Sequence, residues 1–332
     1  FPNPPRNTFV DFAGNPELKF CLATIDPSGN PTTGITRTST TKNGWDADYE
    51  SNDMKQVSSG GINNWDPLKY LNIWVCNLTN SGGGGQTLGY AYLPGLQGGN
   101  QSWKDGLVVD YKYFGTIGNA SSSSDGRTPT HEIGHYLGLS HTFCEDGTGG
   151  CCDNDNSFWG GSVDDTPATD GVYFGSVNSN TNNNSCNDLS YGFSSDLLDM
   201  DENYMSYASD TWMFSQGQVD VMLGTLNTVG WQGGRKDLWQ NSTVTVNCSG
   251  TVSLNQYQSN NLSIYPNPSD GDIFINSPNR VITLSVYNIF GEEVISNTRI
   301  NNSILNLNQL SNGIYFIKIN ESQAVITKKI IL

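Results

Sequence analysis

His131-Glu132-Ile133-Gly134-His135-Tyr136-Leu137-Gly138-Leu139-Ser140-His141 is the stretch from which the rest of the chain can be read. Histidines four apart lie on one face of a helix, so the imidazoles of His131 and His135 reach a common point. A helix that simply continued would carry His141 away from it. Gly138 resolves the conflict, because glycine enters the left-handed region without strain, ends the helix and lets the chain turn His141 back. Three imidazoles with a fourth position left open are the ligand set of one catalytic zinc ion, and Glu132 stands beside the first ligand as base for the water in that position. These are the only three histidines of the chain. Random placement at this spacing has a probability on the order of 10⁻⁴. A structural zinc site is the serious alternative, but such sites close the remaining position with cysteine.

The flanking patterns predict the scaffold. Short apolar, β-branched or aromatic runs at residues 17 to 24, 71 to 76, 88 to 93 and 107 to 111 read as strands of a mostly buried sheet. Residues 49 to 57 have helical character, and Pro129 sets the start of the His131 helix near residues 126 to 128. A last helix spans about Gln216 to Thr228, opened by a Ser215/Gln218 capping box. Strands alternating with helices indicate an α/β domain, a twisted mixed sheet with an active-site helix and a C-terminal helix, over residues 1–240. Polar, weakly patterned residues 241–260 read as a linker. From 261 to 332 short alternating strands separated by turn signals, with neither His nor Cys, predict a small all-β sandwich.

Composition narrows the function. Acids outnumber bases 32 to 16, and the net charge of -16 repels phosphate backbones and anionic membranes, which argues against nucleic-acid and lipid partners. No run of 18 apolar residues occurs, so no spanning helix is expected. Four of seven cysteines, Cys144, Cys151, Cys152 and Cys186, fall in one Gly/Asn-rich stretch with little core of its own, which implies disulfides and an oxidising compartment. Cys21 and Cys76, in apolar runs, read as buried thiols or a bridge between strands. Cys248 receives no role.

HExxHxxGxxH is the metzincin signature, and Asn203-Tyr204-Met205-Ser206-Tyr207 is similar to the Met-turn of that clan. The resemblance places Met205 beneath the metal and gives Tyr207 a role at the metal or the transition-state oxyanion. Within metzincins, residues 15 to 240 resemble the bacterial branch of the pappalysin (cytophagalysin) family, through FCLATIDPSGNPTTGITRT, WDPLKYLNIWVC, LGYAYLPG and VDDTP. The resemblance implies a zinc-dependent endopeptidase acting on proteins or peptides, with Gly89 to Leu93 as an edge strand for extended substrate. Only 16 residues precede the first expected strand, so the opening strand and helix of the family and any pro-segment are expected upstream. Residues 208 to 212 lack a cysteine often seen there. Asp153, Asp155, Asp164 and Asp165, near Asp170, can offer hard oxygen ligands to calcium, as the family often does; a solvated acidic loop is the alternative.

The tail resembles the C-terminal sorting domain of the type IX secretion system of Bacteroidetes-like bacteria. Tyr265-Pro266-Asn267-Pro268, Gly291-Glu292-Glu293-Val294, Leu307 to Tyr315 and Lys328-Lys329 carry that likeness. It implies the type IX machinery as partner and a secreted or cell-surface location. The competing reading for the whole chain is a surface adhesin that holds zinc without turnover, against which the intact Glu132 and Tyr207 speak.

Overall fold

The computed structural model describes residues 4–83, 85–96, 100–144, 150–152, 163–229, 234–240, 263–265, 269, 271–276, 282–288, 292–300, 304–321 and 324–332. The chain divides into two compact units, Phe1–Ser249 and Gly250–Leu332.

In the first unit the described strands are β1 (Ala13–Gly14), β2 (Trp45–Asp46), β3 (Ile73–Cys76), β4 (Leu78–Thr79), β5 (Gly89–Ala91), β6 (Leu107–Asp110) and β7 (Phe214–Ser215), with helices α1 (Thr128–Tyr136), α2 (Gln216–Asn227) and α3 (Asp237–Gln240). β6 is the centre of a three-stranded mixed sheet, parallel to β3 on one side and antiparallel to β5 on the other. Its four residues are all buried because both faces are covered. Leu107 and Val109 join a core with Tyr136, Leu137 and Leu139 of the α1 region and with Met205, Phe214, Val219 and Met222. Val108 points the other way, into Trp45, Met54, Trp74 and Leu78. β1 pairs with β7, and β2 with β4.

α1 begins at Thr128 with Pro129 in its first turn, where a missing N–H costs nothing. It ends as the glycine requires. Gly138 has φ +100°, its N–H donates to His135 O, and the Leu139 N–H reaches back to Gly134 O at 3.0 Å, a Schellman-type closure. Thr225 of α2 donates its hydroxyl to the freed Leu137 carbonyl at 2.8 Å. The Ser215/Gln218 capping box forms as expected, and α2 runs to Asn227.

A second lock holds the same end of α1. Arg235 forks onto Asp105 through Nη1 and Nη2 at 2.7 and 2.9 Å, donates Nε to Tyr136 O at 2.6 Å, and lies 3.2 Å above the Tyr136 ring. Both members of the ion pair are buried. Three separate stretches, the approach to β6, the end of α1 and the segment after α2, therefore meet at one guanidinium.

Two sequence expectations are corrected. Residues 17 to 24 form no strand: Phe20 and Leu22 are exposed, and the backbone of Thr24 and Asp26 bonds instead to Thr32 and Asn30 in a local turn. An apolar run makes a strand only where a neighbour completes its ladder. Residues 49 to 57 do not make one helix either, but two 3₁₀ turns, Asp53–Lys55 and Val57–Ser59, the second stopped by Gly60 in the left-handed region. The short turns drive Lys55 under the sheet, where Nζ donates to Lys104 O at 2.6 Å and faces Trp74, Tyr90 and Tyr92; burial pulls it down to about 7. Disulfides join Cys144 to Cys152 and Cys151 to Cys186. Cys21 is disulfide-bonded whereas Cys76 is a free thiol, so they do not bridge each other. Cys248 and the expected linker 241–260 lie outside the described residues.

The second unit contains β8 (Ser263–Tyr265), β9 (Asp272–Asn276), β10 (Ile282–Asn288), β11 (Glu293–Ile300), β12 (Ile304–Asn306), β13 (Ile314–Glu321) and β14 (Ala324–Ile331). Antiparallel sheets of order β11-β10-β13-β14 and β12-β9-β8 share one core. Ile273, Ile275 and Leu305 come from one sheet, and Leu284, Val286, Ile317 and Ile319 from the other, which is the expected sandwich.

Asp105→Asn leaves the Arg235 guanidinium buried without its counter-charge. Denaturant unfolding should show a loss of about 3–5 kcal/mol; a loss below about 1 kcal/mol would mean that the pair does not hold the domain together.

Candidate metal centre

α1 and the Gly138 turn bring His131, His135 and His141 together. Their Nε2 atoms stand 3.1 Å (His131 to His135), 3.1 Å (His131 to His141) and 3.0 Å (His135 to His141) apart. The far side of two rings decides their tautomers. His131 Nδ1 donates to Tyr204 O at 2.6 Å and His135 Nδ1 to Leu139 O at 2.8 Å; a carbonyl only accepts, so the proton resides on Nδ1 and each Nε2 presents a lone pair. Two such acceptors at 3.1 Å repel unless a cation lies between them. Tetrahedral zinc with Zn–N near 2.0–2.1 Å sets its nitrogens about 3.3–3.4 Å apart, so the triangle fits this metal with a small expansion. Among the described residues it is the one group of three or more His, Cys, Asp or Glu side chains close enough to hold an ion. Burial, then the neighbouring imidazoles, holds His131 well below its ordinary range, and burial with His135 holds His141 at about 3. Both are neutral, the form that ligates.

Glu132 is 4% exposed, and its Oε2 has no hydrogen-bond partner. Burial pushes its carboxyl up to about 8. It sits against β5: a Cβ at Gly89 would come within 3.1 Å of Glu132 Cγ and Oε1. Gly89 thus allows the acid to lie beside the sheet edge, a role that sequence reasoning did not assign.

Met205 is fully buried under α1, and a Cβ at Gly134 would run into its sulfur. Its turn is tied in place: Met205 N donates to Asn203 Oδ1 at 2.8 Å, and Asn203 Nδ2 donates to Gln218 Oε1 at 2.7 Å. Gln218 is the capping-box residue of α2, so one side chain serves helix and turn together. Tyr207 is 44% exposed, with its ring centroid 4.8 Å from His141 and 5.5 Å from His131. Phe143 stacks on His141 at 4.7 Å. Of the expected calcium ligands only Asp164 and Asp165 belong to the described residues. Asp165 accepts from Ser215 Oγ at 2.6 Å and Gly217 N at 2.8 Å, which makes it a cap of α2, and Asp164 is exposed. Asp153 and Asp155 lie outside the described residues.

A helix carrying two of three convergent imidazoles, a glycine turn returning the third and a buried methionine beneath them define the metzincin class of metal-centre folds. The chain belongs to peptidase family M43, the pregnancy-associated plasma protein-A family, whose model matches residues 51–227. Mature mirolysin of Tannerella forsythia, solved with a cleaved peptide, is 38% identical, with a TM-score of 0.57, covering 69% of this chain and 77% of that one. A promirolysin variant of the same organism is 36% identical, TM-score 0.56, covering 69% and 68%. Extracellular metalloproteases of Arthroderma gypseum and Neurospora crassa are 30% and 32% identical over 62% and 57% of the chain, which spans 58% and 57% of their length. Residues 263–332 match the secretion-system C-terminal sorting domain. With extracellular relatives and a sorting tail, the protein is secreted or held at the cell surface.

The neutral imidazoles have a measurable consequence. In Glu132→Gln, where only the histidines titrate near the ion, zinc uptake at pH 6 should release less than one proton. Ordinary imidazoles with pKa near 6.5 would release about two. Calorimetry in buffers of different ionisation enthalpy separates the two results.

Proposed function

We propose that the chain is a secreted zinc metalloendopeptidase that hydrolyses internal peptide bonds of proteins. The observation that carries this reading is the convergence of three imidazoles together with a buried, unpartnered oxygen on Glu132, the neighbour of His131 on the same helix. His131, His135 and His141 would hold one zinc ion, which supplies a Lewis acid for the scissile carbonyl and makes a water acidic. Glu132 takes the proton of the attacking water at Oε2 and hands it to the leaving nitrogen, a transfer that a carboxyl raised toward neutrality performs in both directions. Tyr207, in ring contact with two of the ligands, provides the phenol for the developing oxyanion. β5, at the sheet edge beside Glu132, binds extended peptide by strand addition. The relative solved with a cleaved peptide supports a peptide substrate.

The labour divides along the chain. Residues 1–240 carry the chemistry, 241–260 connect, and 261–332 address the protein to the type IX machinery, a reading supported by the sorting-domain match.

Glu132→Gln should keep stoichiometric zinc and lose about 10²–10⁴ in kcat on a protein substrate. Wild-type turnover in that variant would refute the assignment, and so would an unchanged zinc content in dialysed His141→Ala. The tail has its own test: in a host with type IX secretion, the full chain should appear outside the cell, whereas one ending at residue 262 should accumulate in the periplasm. Equal export of both would remove the sorting role and leave the peptidase untouched.

A further inference from the structure

Arg6 is an unusual residue to find inside a domain. Its side chain is 4% exposed, and that of its partner Glu202 is fully buried. Nε donates to both Glu202 oxygens at 2.9 and 3.1 Å, Nη2 to Glu202 Oε2 at 2.6 Å and to Asp199 O, and Nη1 to Thr181 O at 2.8 Å. One planar guanidinium thus joins three acceptor residues on two stretches, Thr181 on one and Asp199 with Glu202 on the other, which the point charge of a lysine does not reproduce.

The segment around Arg6 grips both shoulders of the Met205 turn. Phe9 packs with Met200, Trp212 and Met213, and β1 pairs with β7 just beyond the turn. Glu202 lies just before it. The Glu202 carbonyl accepts from Trp212 N at 2.8 Å, and Tyr204 N donates to Met213 O at 2.7 Å. The next group in this ladder is the Tyr204 carbonyl, which accepts the proton of His131 Nδ1. From Arg6 to the imidazole of His131 the path is therefore Glu202, the two residues Asn203 and Tyr204, and one hydrogen bond.

We propose that Arg6 is a positioning residue of the metal site: by fixing Glu202 it sets the Tyr204 carbonyl, and that carbonyl sets the orientation of His131. The proposal rests on the zinc chemistry proposed above. It assigns to a residue some 125 positions upstream in sequence, by the difference between 131 and 6, a part of the work of orienting a ligand.

The test uses the full chain with cobalt(II) in place of zinc. Arg6→Lys and the isosteric Glu202→Gln should each bind one cobalt but show shifted d–d absorption bands. Each should release the ion to a chelator about tenfold faster and lose about tenfold in kcat, the low end for groups that stand behind a ligand. KM should stay within about twofold, because substrate contacts are untouched. Phe12→Ala is the control: Phe12 packs on the same cluster through the Phe9 ring, so its loss loosens the segment while the guanidinium keeps its acceptors and its contact with Phe9. It should lower the melting temperature while leaving the bands and the kcat per folded site as in the parent. Unshifted bands with unchanged kcat in Arg6→Lys would overturn the proposal, as would an equal shift in Phe12→Ala. Failure of both Arg6→Lys and Glu202→Gln to fold would assign the pair to stability alone and overturn it as well. If the parent protein itself neither takes cobalt nor cleaves peptide, the peptidase reading fails instead.

Discussion

The Nε2 atoms of His131 and His135 stand 3.1 Å apart, with the Nδ1 protons of both rings committed to carbonyls behind them. The first unit is built around holding that convergence. Tyr204 and Leu139 fix two rings from behind, and Gly138 returns the third. Thr225 satisfies the carbonyl that the helix end sets free, and Arg235 clamps the last turn of α1 against Asp105. Each contact is ordinary alone. Together they over-determine the orientation of the three rings, which is how preorganised metal sites keep their geometry.

What the sequence revealed and what it hid divide along a physical line. His131, His135, Gly138 and His141 were legible because their relation is local: a helical period, a left-handed glycine and a turn are set within eleven consecutive residues. The Ser215/Gln218 cap was legible for the same reason. Residues 17 to 24 were misread because strand character is decided by a partner, and the local pattern carries no information about one. Residues 49 to 57 were misread as a helix because the demand to bury Lys55 among aromatic rings comes from β3 and β5. Asp165 stood among the proposed calcium ligands; only the fold reveals that a helix N-terminus some fifty residues away claims its oxygens. Arg6, Asp105 and Arg235 had no local signature at all. A buried arginine is written in sequence like an exposed one, and its meaning lies in acceptors far from it along the chain.

The tail obeys a simpler rule, and the reading of it was correspondingly closer. Alternation with a period of two, punctuated by turn residues, yields two antiparallel sheets that bury one face each. Nothing in that unit depends on a long-range polar contact of the Arg235 type among the described residues. The cysteine-rich stretch lies between these extremes: composition announced the bridges, while their pairing, with adjacent Cys151 and Cys152 sent to Cys186 and Cys144, required the fold.

The wildcard positions of the zinc motif are not free in this chain. Gly134 stands in one of them, and the volume a side chain would need there is filled by the sulfur of Met205, seventy-one positions downstream by the difference between 205 and 134. Substitutions at the two sites are therefore coupled in their cost to the fold. A lineage can enlarge position 134 only after, or together with, a smaller or reshaped residue at 205, and the reverse order passes through a crowded intermediate. The helix and the turn beneath it drift as one unit, although the sequence writes them as two separate words.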